Sequence, residues 1–266
     1  MSASASDDPR VELRRFALVV AIAYLGVLSS FALPEIPLDG WLAALAVRIS
    51  DTASWQQLPY FVTAMVLVMV SRPGLDSRRR ALEAIAIIVV LLVILAGNAE
   101  LNESVIKPAF AIPRPNLVAL ADAGALGLGV DEFYALGDKQ ARRDFLAPQL
   151  ALLTEPRLAP IVREHWAIET GYSFPSGHAT ASMTFATLMH AIGLRWATGW
   201  RRTLAMLLPI WAVAVVLTRP LLRVHTYLDV SVGAAVGIGL GVFGFAILHA
   251  LLERRTVVDA RGVLHG

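Results

Sequence analysis

The chain has 266 residues, 56% of them apolar and only 17% charged, with a net charge of +2 and a mean hydropathy of +0.62. A soluble domain of this size does not carry that balance, so a membrane protein is expected. The absence of cysteine removes thiol nucleophiles, thiolate metal sites and disulfides, and the dispersal of basic residues along the chain argues against a nucleic-acid partner.

Residues 1–15 form a polar tail with Arg10, Arg14 and Arg15. Apolar runs follow at residues 16–33, 59–70, 85–96, 179–194, 204–217 and 230–252, read here as six transmembrane helices of an all-α, polytopic membrane protein. The second and third runs fall short of the roughly 20 residues a span requires, so they are extended into residues 52–58 and 101–106. The first run exceeds the usual core of a signal peptide, which favours a spanning helix. Residues 16–252 are therefore expected to be one membrane domain, with residues 253–266 as a C-terminal tail.

Charge placement sets an orientation. Arg10, Arg14 and Arg15 precede the first run, Arg72, Arg78, Arg79 and Arg80 lie in the second loop, and Arg195, Arg201, Arg202, Arg254, Arg255 and Arg261 lie in the fourth loop and the C-tail. The first and fifth loops together hold only Arg48, Arg219 and Arg223. By the positive-inside rule both termini are cytoplasmic.

Residues 116–174 interrupt the pattern with no run long enough to span, and read as an extracytoplasmic helical cap between helices three and four. Residues 131–153 place Phe133, Leu136, Phe145, Leu146, Leu150 and Leu153 at near-helical spacing, and residues 159–169 predict a second short helix. Gly124, Gly127 and Gly129 mark the approach.

Three clusters remain, and on this topology all face outward: Lys107 with Arg114-Pro115, Pro175-Ser176-Gly177-His178, and Arg219 with His225 and Asp229. Together they hold the parts of a phosphate pocket: cations, a Ser-Gly turn, two histidines and a carboxylate. His225 and Asp229 are four apart, so on a helix the carboxylate can accept one ring N–H and leave the other nitrogen free for attack on phosphorus; an aspartate here also suits a plain helix cap. Ser176 and Gly177 sit where a helix starts and free N–H groups bind anions, while His178 is placed to protonate a leaving alkoxide; an ordinary N-cap is the plainer alternative. Lys107, Arg114 and Arg219 would neutralise phosphate oxygens, with interfacial snorkelling as their alternative. Pro108, Pro113 and Pro115 are expected to end the third helix.

These residues resemble the signature of the type 2 phosphatidic acid phosphatase superfamily, Lys-x6-Arg-Pro, Pro-Ser-Gly-His and Ser-Arg-x5-His-x3-Asp, with Thr218 standing where serine is usual. Val130-Asp131-Glu132-Phe133-Tyr134 and His165-Trp166 through Glu169-Thr170-Gly171 further resemble the cap of its bacterial phosphatidylglycerol phosphate phosphatases. The resemblance implies a lipid phosphatase of the bacterial inner membrane that uses no metal or other cofactor. Its substrate would be phosphatidylglycerol phosphate, with phosphatidic acid and undecaprenyl pyrophosphate as further candidates. It implies His225 as nucleophile through a phosphohistidine, His178 as acid, Asp229 as orienting group, and Lys107, Arg114, Ser176, Gly177 and Arg219 as phosphate ligands. A lipid-linked phosphotransferase and a non-catalytic lipid phosphate carrier are the alternatives; a vanadate-dependent haloperoxidase shares the anion pocket but is soluble.

Other features stay open. Gly233, Gly237 and Gly241 recur every four residues on the last helix and permit close approach inside the bundle or between copies. Glu100 and Glu103 are expected to face a cavity or to pair with Lys107 or Arg114. His165, His190, His249 and His265 have no evident partner in the sequence.

Overall fold

A computed structural model describes the backbone of residues 9–263 and the side chains of residues 10–253. The start of the N-terminal tail, His265, and the side chains of Arg254, Arg255 and Arg261 lie outside the described residues. Within that range every regular element is helical: α1 (Pro9–Leu28), α2 (Trp41–Asp51), α3 (Leu58–Val70), α4 (Ser77–Leu101), α5 (Lys107–Phe110), α6 (Pro115–Asp122), α7 (Val130–Ala135), α8 (Lys139–Leu152), α9 (Pro160–Ile168), α10 (Gly177–Trp196), α11 (Gly199–Leu221) and α12 (Tyr227–Val263). Among the described residues, four helical stretches are long and apolar enough to cross a membrane: Arg10–Ala32, Ser77–Phe110, Gly199–Leu221 and Tyr227–Glu253. In lipid no water satisfies the backbone, so helices that close their own hydrogen bonds are the expected solution.

Two of the predicted runs differ from expectation. The second does not extend into residues 52–57, which are turns; the Thr52 hydroxyl donates to the Ile49 carbonyl at 2.6 Å, the Ser54 hydroxyl accepts from the Gln57 amide at 3.3 Å, and Pro59 sits in the first turn of a 13-residue α3. Local side-chain bonds thus compete with helix continuation. The third run does extend, and it passes Pro108 rather than stopping there. A π-helical turn at Asn102–Ile106 joins α4 to α5, and Pro108 falls at the start of the short final helix, where no donor is needed. The chain turns only at Ala111, which adopts the left-handed conformation with φ of 46°.

The centre of the bundle is α10, whose residues from Ala179 to Leu194 are almost all buried. It packs on α11 and α12, with α1 against one flank and α3 and α4 against the other. The glycine stripe of α12 faces α10. A Cβ on Gly233 would lie 2.6 Å from the Ser176 carbonyl, one on Gly237 2.5 Å from the Thr180 carbonyl, and one on Gly241 2.6 Å from Thr187 Cβ. Of the two uses open to this stripe, packing inside the bundle is the one observed. Gly237→Ala must push two backbones apart, with an expected cost of roughly 1–3 kcal/mol; a lowered thermal midpoint in detergent, with Gly239→Ala close to wild type because nothing lies within 4 Å of its Cβ position, checks this.

The insertion between α5 and α10 folds as α6 to α9. The predicted helix over residues 131–153 is divided, because Gly137 takes a φ of 114° and Asp138 caps α8 by accepting the Ala141 amide at 2.9 Å. Leu117, Phe133, Leu146, Leu150 and Trp166 form its core, and Leu222 and Val224 of the α11–α12 turn are part of the same core. Trp166 Nε1 donates to the Leu222 carbonyl at 2.9 Å. A helix not foreseen from sequence, α2, completes this end: Ala43, Ala46, Val47 and Ser50 face inward, whereas Trp41 is 73% exposed and Leu42 and Leu45 also point outward.

Candidate active site

His225 lies in the turn before α12, not on the helix itself, and is 2% exposed. Thr226 and Asp229 form a reciprocal cap: the Thr226 amide donates to Asp229 Oδ2 at 2.7 Å and the Asp229 amide to Thr226 Oγ1 at 3.2 Å. The capping and the catalytic readings of Asp229 are therefore compatible, since the same Oδ2 lies 3.5 Å from His225 Nδ1. The Ser173 hydroxyl, buried between them, donates to Asp229 and lies 3.4 Å from His225 Nδ1.

On its other side His225 Nε2 lies 3.1 Å from Arg114 Nη1. A guanidinium only donates, so Nε2 is unprotonated and the ring hydrogen is on Nδ1, toward Asp229. Arg114 is itself fixed on every side. Its amide donates to the Tyr134 hydroxyl at 3.1 Å, Nε to the Gly171 carbonyl at 2.8 Å and Nη1 to the Val224 carbonyl at 2.9 Å, and Nη2 pairs with Glu169 Oε2 at 2.7 Å.

Arg219, on the last turn of α11, is fully buried. Glu169 bridges it to Arg114, one carboxylate oxygen to each guanidinium. Arg219 Nη1 donates to Ser50 Oγ at 2.6 Å and faces His165 Nε2 at 3.1 Å, while its Nε has no acceptor. Thr218 donates its hydroxyl to the Val215 carbonyl and stays out of the site.

The second cluster closes the pocket. Ser176 caps α10 by accepting the Ala179 amide at 3.4 Å, and its own amide donates to the Asp229 carbonyl at 3.0 Å, which ties the two helix starts together. Gly177 and His178 are in the first turn, where amides have no intrahelical acceptor, and a Cβ at Gly177 would meet nothing within 4 Å. His178 lies within electrostatic reach of Arg219, Glu169, His165 and His225. Lys107 stands at the edge, paired with Glu103, whose other oxygen takes Lys139.

All eight predicted site residues thus converge on one end of the bundle, although 122 positions separate Lys107 from Asp229 in the chain. The sequence of residues 83–253 matches the PAP2 superfamily. The chain belongs to the PAP2 superfamily. It is 36% identical over 150 residues to "Phosphatidylglycerophosphatase B" of Escherichia coli K12, and equally so to the proteins of that name from Escherichia coli O157:H7 and Shigella flexneri. The alignment spans 55% of this chain and about half, 56%, of each relative.

Glu169 is the member of this PAP2 site that the sequence reading left without a role. Lys107, Arg114 and Arg219 outnumber Asp229, and buried cations in excess call for a further carboxylate without saying which one. Burial alone would raise its pKa, but Arg114 and Arg219 outweigh that and hold it well below the ordinary carboxylate range. For His225 the direction is also downward, from burial first and Arg114 second, against the opposing pull of Asp229. A histidine whose folded pKa is depressed contributes stability that is complete above its unfolded pKa, about 6.5, and is lost as pH falls below it. The melting temperature should therefore drop between pH 7 and pH 5, and by less in His225→Gln, as thermal scans at both values would read.

Proposed function

We propose that this protein is a lipid phosphatase in which His225 Nε2 attacks the phosphorus of a lipid phosphate, His178 protonates the departing alkoxide, and water then hydrolyses the phosphohistidine. The observation that carries the reading is the place of His225, whose Nε2 lies 3.1 Å from the guanidinium of Arg114 and whose Nδ1 lies 3.5 Å from Asp229 Oδ2. A nucleophile and a phosphate-binding cation share one point in space.

Arg114, Arg219, Lys107, Ser176 and the Gly177 and His178 amides hold the phosphoryl oxygens. The acceptor-free Nε of Arg219 and the open space beside Gly177 support this placement. Glu169, bridging the two guanidiniums, takes the part an anion takes. This set supplies the charge neutralisation that a metal supplies in other phosphoryl transfer sites, so we propose metal-independent turnover.

The membrane arrangement proposed is six spans, with α3 and α10 completing the four long apolar stretches, residues 116–174 as an extracytoplasmic cap, and both termini in the cytoplasm of a bacterial inner membrane. Two observations support the orientation. Arg72, Arg78, Arg79, Arg80, Arg195, Arg201 and Arg202 collect at the end away from His225, where Arg201 Nη2 bonds the Ser71 carbonyl and Arg195 pairs with Glu253. Exposed Trp41, Trp55 and Tyr60 ring the other end, and exposed Trp200 stands at the basic one, as interfacial aromatics do.

Phosphatidylglycerol phosphate is the substrate proposed first, on the likeness to the enterobacterial relatives, with phosphatidic acid and undecaprenyl pyrophosphate behind it. The test is phosphate release by the purified protein in detergent with EDTA, from each of the three lipids. Release establishes metal-free hydrolysis and ranks the substrates. Loss of activity in EDTA refutes metal independence, and a folded protein releasing nothing shifts the reading to phosphoryl transfer, which product analysis with an added lipid alcohol would detect.

A further inference from the structure

The α2 helix reaches the site through its last turn, and the residues it delivers have no place in the mechanism above. Ser50 Oγ accepts from Arg219 Nη1 at 2.6 Å. His165 of α9 accepts from the same nitrogen through Nε2 at 3.1 Å. Because arginine has no lone pair to offer, that ring nitrogen must be bare, which puts the His165 hydrogen on Nδ1, facing Asp51 Oδ1 at 3.5 Å. His165 and Ser50 are buried, and His165 Nε2 lies 3.9 Å from Glu169 Oε1.

We propose that Asp51, His165 and Ser50 are positioning residues that lock Nη1 of Arg219 and so fix the direction in which that guanidinium meets the phosphoryl group. The inference rests on the reading of Arg219 as a phosphate ligand. Its physical basis is a division of labour on one side chain. Nη1 is held by two partners from α2 and α9, and Nη2 is held by Glu169. Without the Nη1 partners, rotation about the last side-chain bonds would let the plane of the guanidinium swing, and the bidentate geometry that makes arginine effective with phosphate would be lost. The Asp51–His165 pair repeats the carboxylate–histidine relation of Asp229 and His225, with Nδ1 3.5 Å from a carboxylate oxygen in each, here serving a cation instead of an attacking nitrogen. Supporting groups of this kind, one bond removed from the reacting atoms, commonly change activity by 10- to 100-fold.

The experiment uses the full-length protein in detergent with His165→Ala, His165→Gln, Asp51→Asn and Arg219→Ala. It measures kcat and KM for the preferred lipid phosphate and the inhibition constant of inorganic phosphate. His165→Ala should lower kcat/KM by about 10-fold or more and weaken phosphate inhibition in parallel. His165→Gln, whose amide oxygen can accept from Arg219, should recover part of both, and Asp51→Asn should fall between. In the double variant His165→Ala should add little to Arg219→Ala, because the two act through one contact. Wild-type kinetics and phosphate inhibition in His165→Ala beside an impaired Arg219→Ala overturn the positioning role. Equal losses in His165→Ala and His165→Gln with phosphate inhibition unchanged also overturn it. Unimpaired phosphate inhibition in Arg219→Ala overturns instead the placement of Arg219 on which the inference stands.

Discussion

His225→Ala is expected to abolish phosphate release, with a loss of about 10⁴-fold or more, the size seen when the attacking group of a covalent mechanism is removed. The geometry makes the loss specific. The imidazole is buried, its Nε2 faces the guanidinium of Arg114 at 3.1 Å, and among the described residues no other imidazole bonds that guanidinium. Asp229 should remain in place in the variant, because the Thr226 amide and the Ser173 hydroxyl still hold it. His225→Ala should therefore melt within a few degrees of wild type while losing turnover. A burst of phosphate-labelled protein, acid-labile and base-stable as a phosphohistidine is, should be trapped from wild type and be absent from His225→Ala. Retention of more than a few percent of activity would move the nucleophile elsewhere.

Arg114→Ala is the second large effect, and here both activity and stability fall. Removing a preorganised donor at a developing charge typically costs on the order of 10²- to 10³-fold in rate. Arg114 also bonds the Gly171 and Val224 carbonyls and pairs with Glu169, so the variant takes this donor from the Val224 carbonyl, leaves the Gly171 carbonyl to the Tyr134 hydroxyl, and leaves a buried carboxylate with one guanidinium instead of two. Losing a buried donor while Glu169 keeps Arg219 is expected to cost about 1–3 kcal/mol. The double variant Arg114→Ala/Glu169→Gln should be no more stable than Arg114→Ala and no faster, because Glu169 still pairs with Arg219 in the single variant and its loss leaves that buried guanidinium without its carboxylate. Thermal melts and kcat measured on the same three proteins separate the two effects. Arg114→Lys should behave nearer to alanine than to arginine, since an ammonium cannot span the Gly171, Val224 and Glu169 acceptors at once.

Much of this site was legible because its chemistry is carried by residue types that apolar sequence seldom places at these spacings. Lys107, Arg114, Ser176, Gly177, His178, Arg219, His225 and Asp229 were all named from sequence, and all meet at one end of the bundle. Their partners were not legible. Glu169, His165, Asp51, Ser50 and Ser173 reach the site through tertiary folding that no spacing along the chain encodes, and each looks in sequence like an ordinary polar residue of a loop or a helix end. The α2 helix was missed for a related reason. It is only 11 residues long, and its inward face is built of alanine, valine and serine, too weakly apolar to register as a run. The opposite error occurred at Pro108, where a helix-breaking residue was read as a stop, although the π turn before it sets the proline where a helix tolerates one.

The glycine stripe of α12 has a mechanical meaning for the enzyme proposed here. Because Gly233 and Gly237 bring α12 onto the Ser176 and Thr180 carbonyls with no side chain between, and the Ser176 amide is bonded to the Asp229 carbonyl, α10 and α12 form a single stiff strut. With no side chain between the two backbones, the spacing of Ser176 and Asp229 at the tip is set by direct backbone contact. Any change of shape that a bulky headgroup demands must then come from elsewhere than the contact between Ser176 and Asp229.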